Sequence, residues 1–417
     1  MDYFHFRNSL LHAEDVSVSD IVRDVGTPCY VYSRATLERH WHAFDRAFGD
    51  YPHHIHYAVK ANSNLAVLNI LARMGSGFDI VSGGELLRVI RAGGDPAQTI
   101  FSGVCKQDWE ITEAIQSGVV AFNIESEGEL ESISEIANRL EIEAAISVRV
   151  NPDVDARTHP YISTGLKKNK FGFPEERAME IYLQARETSG IRIRGLACHI
   201  GSQIIELEPY RDALEKILDF VEKLAVQSIE VQEIDFGGGL GVRYKDELPP
   251  SPDDYAKQIT EQMQSRGLVI PIAIEPGRAI AGNAGILITR VHSLKKNEQS
   301  AFCIVDAAMN DLVRPALYQA YHEIFEVIEN GEGQRKKYDV VGPVCESADF
   351  LGKDRELAVR PGGLLAVKTV GAYGSVLGSN YNSRPRPAEI MVDGDQFQVV
   401  REKEDISVLM QGENTLP

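Results

Sequence analysis

The stretch Ile55-His56-Tyr57-Ala58-Val59-Lys60-Ala61-Asn62 sets the reading of the whole chain. Residues of strand character run into one lysine, a small residue and an asparagine follow, and a helical pattern starts near Leu65. A lysine at the end of a buried strand loses solvation, which favours the neutral amine. A neutral amine condenses with a carbonyl to give a Schiff base. The plainer alternative is a strand-end lysine whose ammonium reaches solvent along its aliphatic stem. The company this lysine keeps decides between the two.

Working outward, short apolar runs alternate with amphipathic stretches. The runs cover residues 54–60, 77–82, 99–103, 119–125, 144–151, 193–201, 233–239 and 269–277. Between them, helical periodicity falls at 84–92, 107–117, 127–140, 175–188, 209–225 and 252–265. Apolar strands alternating with helices predict a parallel sheet covered by helices. Eight such units over roughly 250 residues match a (β/α)8 barrel. An open doubly wound sheet is the competing architecture, but its Gly-x-Gly-x-x-Gly fingerprint after the first strand is missing. Near Gly285 the pattern changes. Strand-like segments at 286–293, 301–306, 338–345, 357–359, 364–370 and 389–400 are punctuated by Pro361-Gly362-Gly363 and Asp393-Gly394-Asp395. They predict an antiparallel β domain, a barrel or sandwich, interrupted by one helix at about 315–328. The expected organisation is an α/β chain: an N-terminal segment (1–25) packing on the β domain, a barrel (26–284), then the β domain (285–417). The tail from Glu402 is polar and expected to fray. The Lys167-Lys168-Asn169-Lys170 run reads as a solvated loop with no role.

The 417 residues carry 61 acidic against 43 basic side chains, a formal net charge of -18. That balance argues against nucleic acid and anionic membrane as partners. No apolar run approaches the ~20 residues that span a bilayer, and no secretory signal is visible at the N-terminus. Cys29, Cys105, Cys198, Cys303 and Cys345 are scattered and form no C-x-x-C pair. A zinc site or disulfide framework is therefore not expected, no metal is assigned, and a reducing cytoplasm fits.

Active sites of (β/α)8 barrels sit where strands end. The predicted strand ends supply Lys60, Asp79, Asn151, His199, Gly237–Gly239, and Glu275 with Arg278. In Asp235-Phe236-Gly237-Gly238-Gly239-Leu240-Gly241, successive glycines let backbone N–H groups converge on one anion; a flexible turn is the alternative. In Glu275-Pro276-Gly277-Arg278, the glutamate can hold a proton on a heterocycle nitrogen, and the Gly277–Arg278 backbone can extend the anion cradle. A simple Glu–Arg ion pair is the plainer reading. A Schiff-base lysine, a phosphate cradle and an acid for a ring nitrogen together describe pyridoxal 5'-phosphate. His199, in Ala197-Cys198-His199-Ile200-Gly201-Ser202-Gln203, offers a flat ring to stack on that cofactor.

These motifs resemble the alanine racemase/ornithine decarboxylase class of pyridoxal phosphate enzymes (fold type III). The C-terminal half is similar to the diaminopimelate decarboxylase family in three stretches and a fourth. These are Met309-Asn310-Asp311-Leu312-Val313-Arg314-Pro315-Ala316-Leu317-Tyr318, Gly342-Pro343-Val344-Cys345-Glu346-Ser347, Gly371-Ala372-Tyr373-Gly374, and Asn380-Tyr381-Asn382-Ser383-Arg384-Pro385-Arg386-Pro387. The resemblance spans about residues 26–400. It implies that Lys60 carries the cofactor, that Asp79 lies beside it, that His199 stacks on the ring and that Glu275 pairs with the ring nitrogen. It implies that Ser202, Gly238 and the Gly277–Arg278 backbone hold the phosphate, with Tyr373 nearby. Arg278, Arg314, Tyr318, Tyr373 and Glu346 are the implied substrate contacts. Cys345 is the implied proton donor, arriving from the second subunit of a homodimer.

The implied reaction is decarboxylation of meso-2,6-diaminopimelate to L-lysine and carbon dioxide, the last step of lysine biosynthesis. An acid at the ring nitrogen favours decarboxylation over racemisation, because a protonated ring is the better electron sink. The substrate's far end carries an ammonium and a carboxylate. Arginine forks suit the carboxylate, and Glu346 suits the ammonium. The alternative is the same chemistry on another basic amino acid: D-lysine, D-ornithine, arginine or ornithine.

Overall fold

The computed structural model describes residues 2–156, 170–298, 300–331 and 333–417. Of the lysine-rich run, only Lys170 falls among them. The chain divides into two compact units. One holds Glu38–Arg243 and Glu247–Ile280; the other holds Met1–Leu37, Tyr244–Asp246 and Ala281–Pro417.

The first unit is a closed barrel of eight strands: His53–Ala58, Gly77–Ile80, Thr99–Phe101, Ala121–Ile124, Ala144–Arg149, Ile191–Ala197, Glu233–Asp235 and Ile272–Ile274. Neighbouring strands run parallel, and the last pairs with the first through Ile272↔His53, Ala273↔His54 and Ile274↔Ile55. The central strands are buried on both faces, which explains their continuous apolar character rather than alternation. The helices lie where their periodicity places them, and their starts are written in the sequence. Ser82 and Ser126 each accept a hydrogen bond from the backbone N–H three residues on. Ser251 and Asp254 form a reciprocal capping box on Pro252–Ser265. Gly118, at φ 78, closes Asp108–Ser117 in the left-handed conformation that glycine tolerates.

The second unit is built on one sheet with the path Phe350–Leu357, Lys336–Val341, Ala301–Val305, Gly285–Lys296, Cys29–Ser33, Ala388–Asp393, Gln396–Arg401. Off that path, Leu364–Val367 pairs with Gly285–Lys296 and with Ile324–Glu326. Most neighbours are antiparallel, but two pairs are parallel: Ala301–Val305 with Lys336–Val341, and Cys29–Ser33 with Ala388–Asp393. Four sequence expectations change here. The barrel does not begin at residue 26, because Cys29–Ser33 is buried throughout and has both edges paired within the sheet. The helix expected over 315–328 is only Arg314–Tyr318. It stops at Gln319, which is left-handed at φ 53, and Ile324–Glu326 takes ladder bonds from Leu364–Val367. The strand expected at 357–359 is the end of the longer Phe350–Leu357. The tail carries a short 3-10 turn, Ile406–Met410, capped by Asp405. Phe4, Leu11, Val18 and Ile21 of the N-terminal segment bury themselves against Ile286, Ile288, Ile390 and Val392.

Ile288 has no exposed surface and sits on the strand that holds this sheet together. Ile288→Ala is expected to lower stability by about 2–5 kcal/mol, because the vacated methyl groups leave a cavity. Leu416→Ala, at a position 93% exposed, is expected to change it by less than about 0.5 kcal/mol. Urea unfolding of the two variants measures the difference.

Candidate active site

Lys60 lies just past the first barrel strand, in the 3-10 turn Val59–Ala61. Its Nζ donates to Asp79 Oδ2 at 2.8 Å. Asp79 is fully buried within Gly77–Ile80, and its second oxygen, Oδ1, has no hydrogen-bond partner. The lysine side chain is 38% exposed, so the desolvation read from sequence is not what distinguishes it. Leaving the strand, Lys60 turns into the open barrel mouth, where a buried carboxylate anchors it.

Glu275, after the eighth strand, is buried, and its Oε1 has no hydrogen-bond partner. Burial, reinforced by the negative charges of Asp235 and Asp79, holds its pKa well above the usual carboxylate range. The raised pKa favours the protonated carboxyl. Asp235, at the end of the seventh strand, accepts from Asn123 Nδ2 at 2.8 Å and from the Gly237 N–H at 3.0 Å. Burial outweighs these donors and pushes Asp235 up to about 6.

His199 is half-buried. Its Nδ1 accepts a hydrogen bond from the Gly238 N–H at 3.2 Å. Burial first, then the nearby positive charges of Arg149 and Lys60, hold its pKa well below the ordinary value. The ring is therefore neutral, with its proton on Nε2. The glycine run has steric reasons to be glycine. A Cβ on Gly238 would lie 2.2 Å from the Glu275 carbonyl oxygen, and one on Gly237, at φ 67, would lie 2.6 Å from the Cys198 carbonyl oxygen. A Cβ on Gly277 would press on Ala61 and Ala58, beside Lys60. Ser202 Oγ accepts from Arg278 Nη2 at 3.1 Å.

A cavity of about 430 Å³ joins these groups, lined by Lys60, His199, Asp235 and Glu275 together with Asn123 and Arg149. Of the strand-end set, Lys60, His199 and Glu275 line it, while Asp79, Asn151, Gly237–Gly239 and Arg278 do not. The fifth strand ends two residues earlier, at Arg149, and Asn151 instead caps its loop by accepting from the Asp153 N–H. The sequence reading missed Asn123, Arg149 and Cys105 at the cavity wall. Arg149 was two positions from the residue chosen, and Asn123 stood out only as a polar residue inside an apolar strand.

In the sheet unit, the Arg314 guanidinium lies 5.1 Å from the Tyr244 ring centroid and 5.9 Å from that of Tyr318. Its Nε points to His322 Nε2 at 3.4 Å. Cys345 and Glu346 sit together on an exposed loop. The Cys345 N–H donates to Asn382 Oδ1 at 3.2 Å, and the Tyr381 hydroxyl donates to Glu346 Oε1 at 2.5 Å. Asp349 shapes that loop by accepting from the N–H groups of Val344 and Met309. Tyr373 is half-buried at a left-handed φ of 57.

Pyridoxal phosphate fits the barrel residues. A lysine sits at the cavity, a buried carboxyl offers an unpartnered oxygen, a neutral flat ring is fixed by backbone, and the glycine backbone leaves no room for side chains around its N–H groups. The same burial has a consequence for stability. An Asp with an ordinary pKa near 3.8 when unfolded and about 6 when folded keeps a proton that the unfolded chain has lost. Stability of the cofactor-free protein is therefore expected to fall as pH rises from about 4 to 6. Thermal melting across that range should show a shallower decline in Asp235→Asn.

Residues 34–282 match the family model described as pyridoxal-dependent decarboxylase, pyridoxal binding domain. The diaminopimelate decarboxylase of Vibrio cholerae is 53% identical over 418 residues, covering 100% of both chains. Among solved structures, that of diaminopimelate decarboxylase from Helicobacter pylori complexed with L-lysine is 42% identical with a TM-score of 0.91. It covers 94% of this chain and 98% of its own. The M. jannaschii enzyme in co-complex with L-lysine is 35% identical with a TM-score of 0.95, covering 100% and 98%. With the lysine, the buried acid and the glycine cradle gathered at one barrel mouth, this chain belongs to the pyridoxal phosphate-dependent decarboxylases of fold type III and, within them, to the diaminopimelate decarboxylase family.

Proposed function

We propose that this protein decarboxylates meso-2,6-diaminopimelate to L-lysine and carbon dioxide, the last step of lysine synthesis, using pyridoxal phosphate. The observation that carries this reading is the full-length identity to diaminopimelate decarboxylases, whose solved relatives hold L-lysine. When bound, the cofactor's protonated pyridine ring takes up the electron pair left as carbon dioxide departs.

The chain's own residues supply the rest. Lys60 tethers the cofactor, and Asp79 holds the Nζ proton until then. Glu275 would pair with the ring nitrogen, its carboxylate accepting from the ring N–H and so holding the proton there. Neutral His199 stacks without adding charge. Ser202, Gly238 and the Gly277–Arg278 backbone hold the phosphate, and Tyr373 adds a contact there. Arg278, Arg314, Tyr318, Tyr373 and Glu346 bind the amino acid. Arg278 and Arg314 serve its distal carboxylate with planar forks, and Glu346 serves the distal ammonium. The thiol of Cys345 then gives its proton to the carbon that has lost the carboxylate.

The reading includes a homodimer in which the partner subunit's Cys345 completes each site. It includes a cytoplasmic location, consistent with five cysteines that are all free thiols. It also retains the division expected from sequence, a cofactor-binding barrel and a β domain with the N-terminal segment packed on it, with the boundary moved past Leu37.

Carbon dioxide release across meso-diaminopimelate, D-lysine, D-ornithine, ornithine and arginine tests the substrate. Turnover is expected for the first, with kcat/KM at least about 100-fold above the others. An analogue lacking the distal carboxylate leaves buried polar groups unpaired, and a preference for any other member transfers the function to that amino acid. The shared site has its own test. Lys60→Ala and Cys345→Ala are each expected to lose at least about 100-fold in kcat. Unfolding and refolding the two together in equal amounts should restore about 25% of wild-type activity, because half of the dimers then carry one intact site. No recovery would confine each site to a single chain.

A further inference from the structure

At the amino ends of the barrel strands, opposite the end that carries Lys60, the first strand presents His54 and His56. Two residues apart on one strand, they point the same way. Glu233 begins the seventh strand. Among the described residues, these three are the one group of histidine, cysteine or carboxylate side chains whose donor atoms all lie within 4.8 Å of one another. We propose that they form a zinc-class divalent cation site on the barrel floor, separate from the decarboxylation site.

The tautomers favour it. His56 Nδ1 lies 3.0 Å from the Gln98 carbonyl oxygen. A carbonyl only accepts, so Nδ1 carries the proton and Nε2 keeps its lone pair. That Nε2 is buried and has no hydrogen-bond partner. A ligating imidazole is held in this way, with its other nitrogen donating to a backbone carbonyl. The fold has also made room for the ring: a Cβ on Gly77 would lie 2.4 Å from both His56 Nδ1 and the Gln98 oxygen.

The other two donors meet each other, with His54 Nδ1 2.6 Å from Glu233 Oε2. Zinc bonds nitrogen and oxygen at roughly 2.0–2.2 Å. A cation therefore enters this group after a small rotation of His54, whose side chain is 53% exposed, with the His54 proton moving to Nε2. Arg194 holds Glu233 at 3.2 and 3.1 Å and opposes the cation's charge. Asp45, which lines a cavity together with His54 and His56, offsets it. The cavity, about 150 Å³, leaves space for water to complete the coordination shell. A site with two imidazoles and one carboxylate suits zinc or cobalt better than calcium or magnesium.

The test is calorimetric titration of the holoenzyme with Zn²⁺, and with Co²⁺ followed by its visible d–d absorption. Wild type is expected to take up one equivalent per chain, with a tetrahedral or five-coordinate cobalt spectrum. His54→Ala and His56→Gln are expected to weaken uptake at least about tenfold. If His56→Gln does not fold, the exposed His54→Ala decides alone. Absence of uptake by wild type, or uptake unchanged in His54→Ala, overturns the site. Cofactor absorbance, reporting the opposite end of the barrel, should not move in His54→Ala.

Discussion

The pairing of Ile272–Ile274 with His53–Ala58 is the constraint on which the functional end of the barrel depends. It closes a ladder of parallel strands into a ring. Because every strand then points the same way, every strand ends at the same mouth. Lys60, Asn123, Arg149, His199, Asp235 and Glu275 are spread over more than two hundred residues of sequence, and closure brings them to one cavity. No local interaction among them would do so.

Closure also creates an electrostatic problem, and its resolution is the chemistry. Asp79, Asp235 and Glu275 are three buried carboxyls in one neighbourhood, where ionising all of them would cost several kcal/mol in desolvation and repulsion. Each is handled differently. Asp79 pairs with the Lys60 ammonium, Asp235 takes an amide and a backbone donor, and burial with its acidic neighbours raises the pKa of Glu275. The distribution leaves Lys60 and Glu275 lining the same cavity. The glycines serve the same end by geometry: close approach of the Glu275 and Cys198 carbonyls excludes any Cβ at Gly238 and Gly237.

The sheet unit follows a different logic. Arg314 is buried yet flanked by the Tyr244 and Tyr318 rings, which stabilise a guanidinium by its faces. Cys345 and Glu346, by contrast, are exposed on a loop whose backbone is fixed by Asp349. A thiol held outward on a shaped loop is unlike the buried Cys29, Cys198 and Cys303, whose thiols burial pushes well above their ordinary pKa and keeps from reacting.

The eight barrel strands and their helices were legible in the sequence because both rest on local patterns: continuous apolar runs, 3.6-residue periodicity and serine caps. Lys60, His199, the glycine run and Glu275 were legible because strand ends mark the mouth once the strand count is known. Tertiary structure alone decided the rest. The strand Cys29–Ser33 joined the sheet rather than the barrel, and Ile324–Glu326 became a strand rather than helix, because distant segments supplied their backbone partners. The pairing of Lys60 with Asp79, the raised pKa of Glu275 and the gathering of His54, His56 and Glu233 also came from the fold. Those depend on distances and burial between residues far apart in sequence, and a one-dimensional pattern carries hydrophobic period and turn chemistry but no such distances.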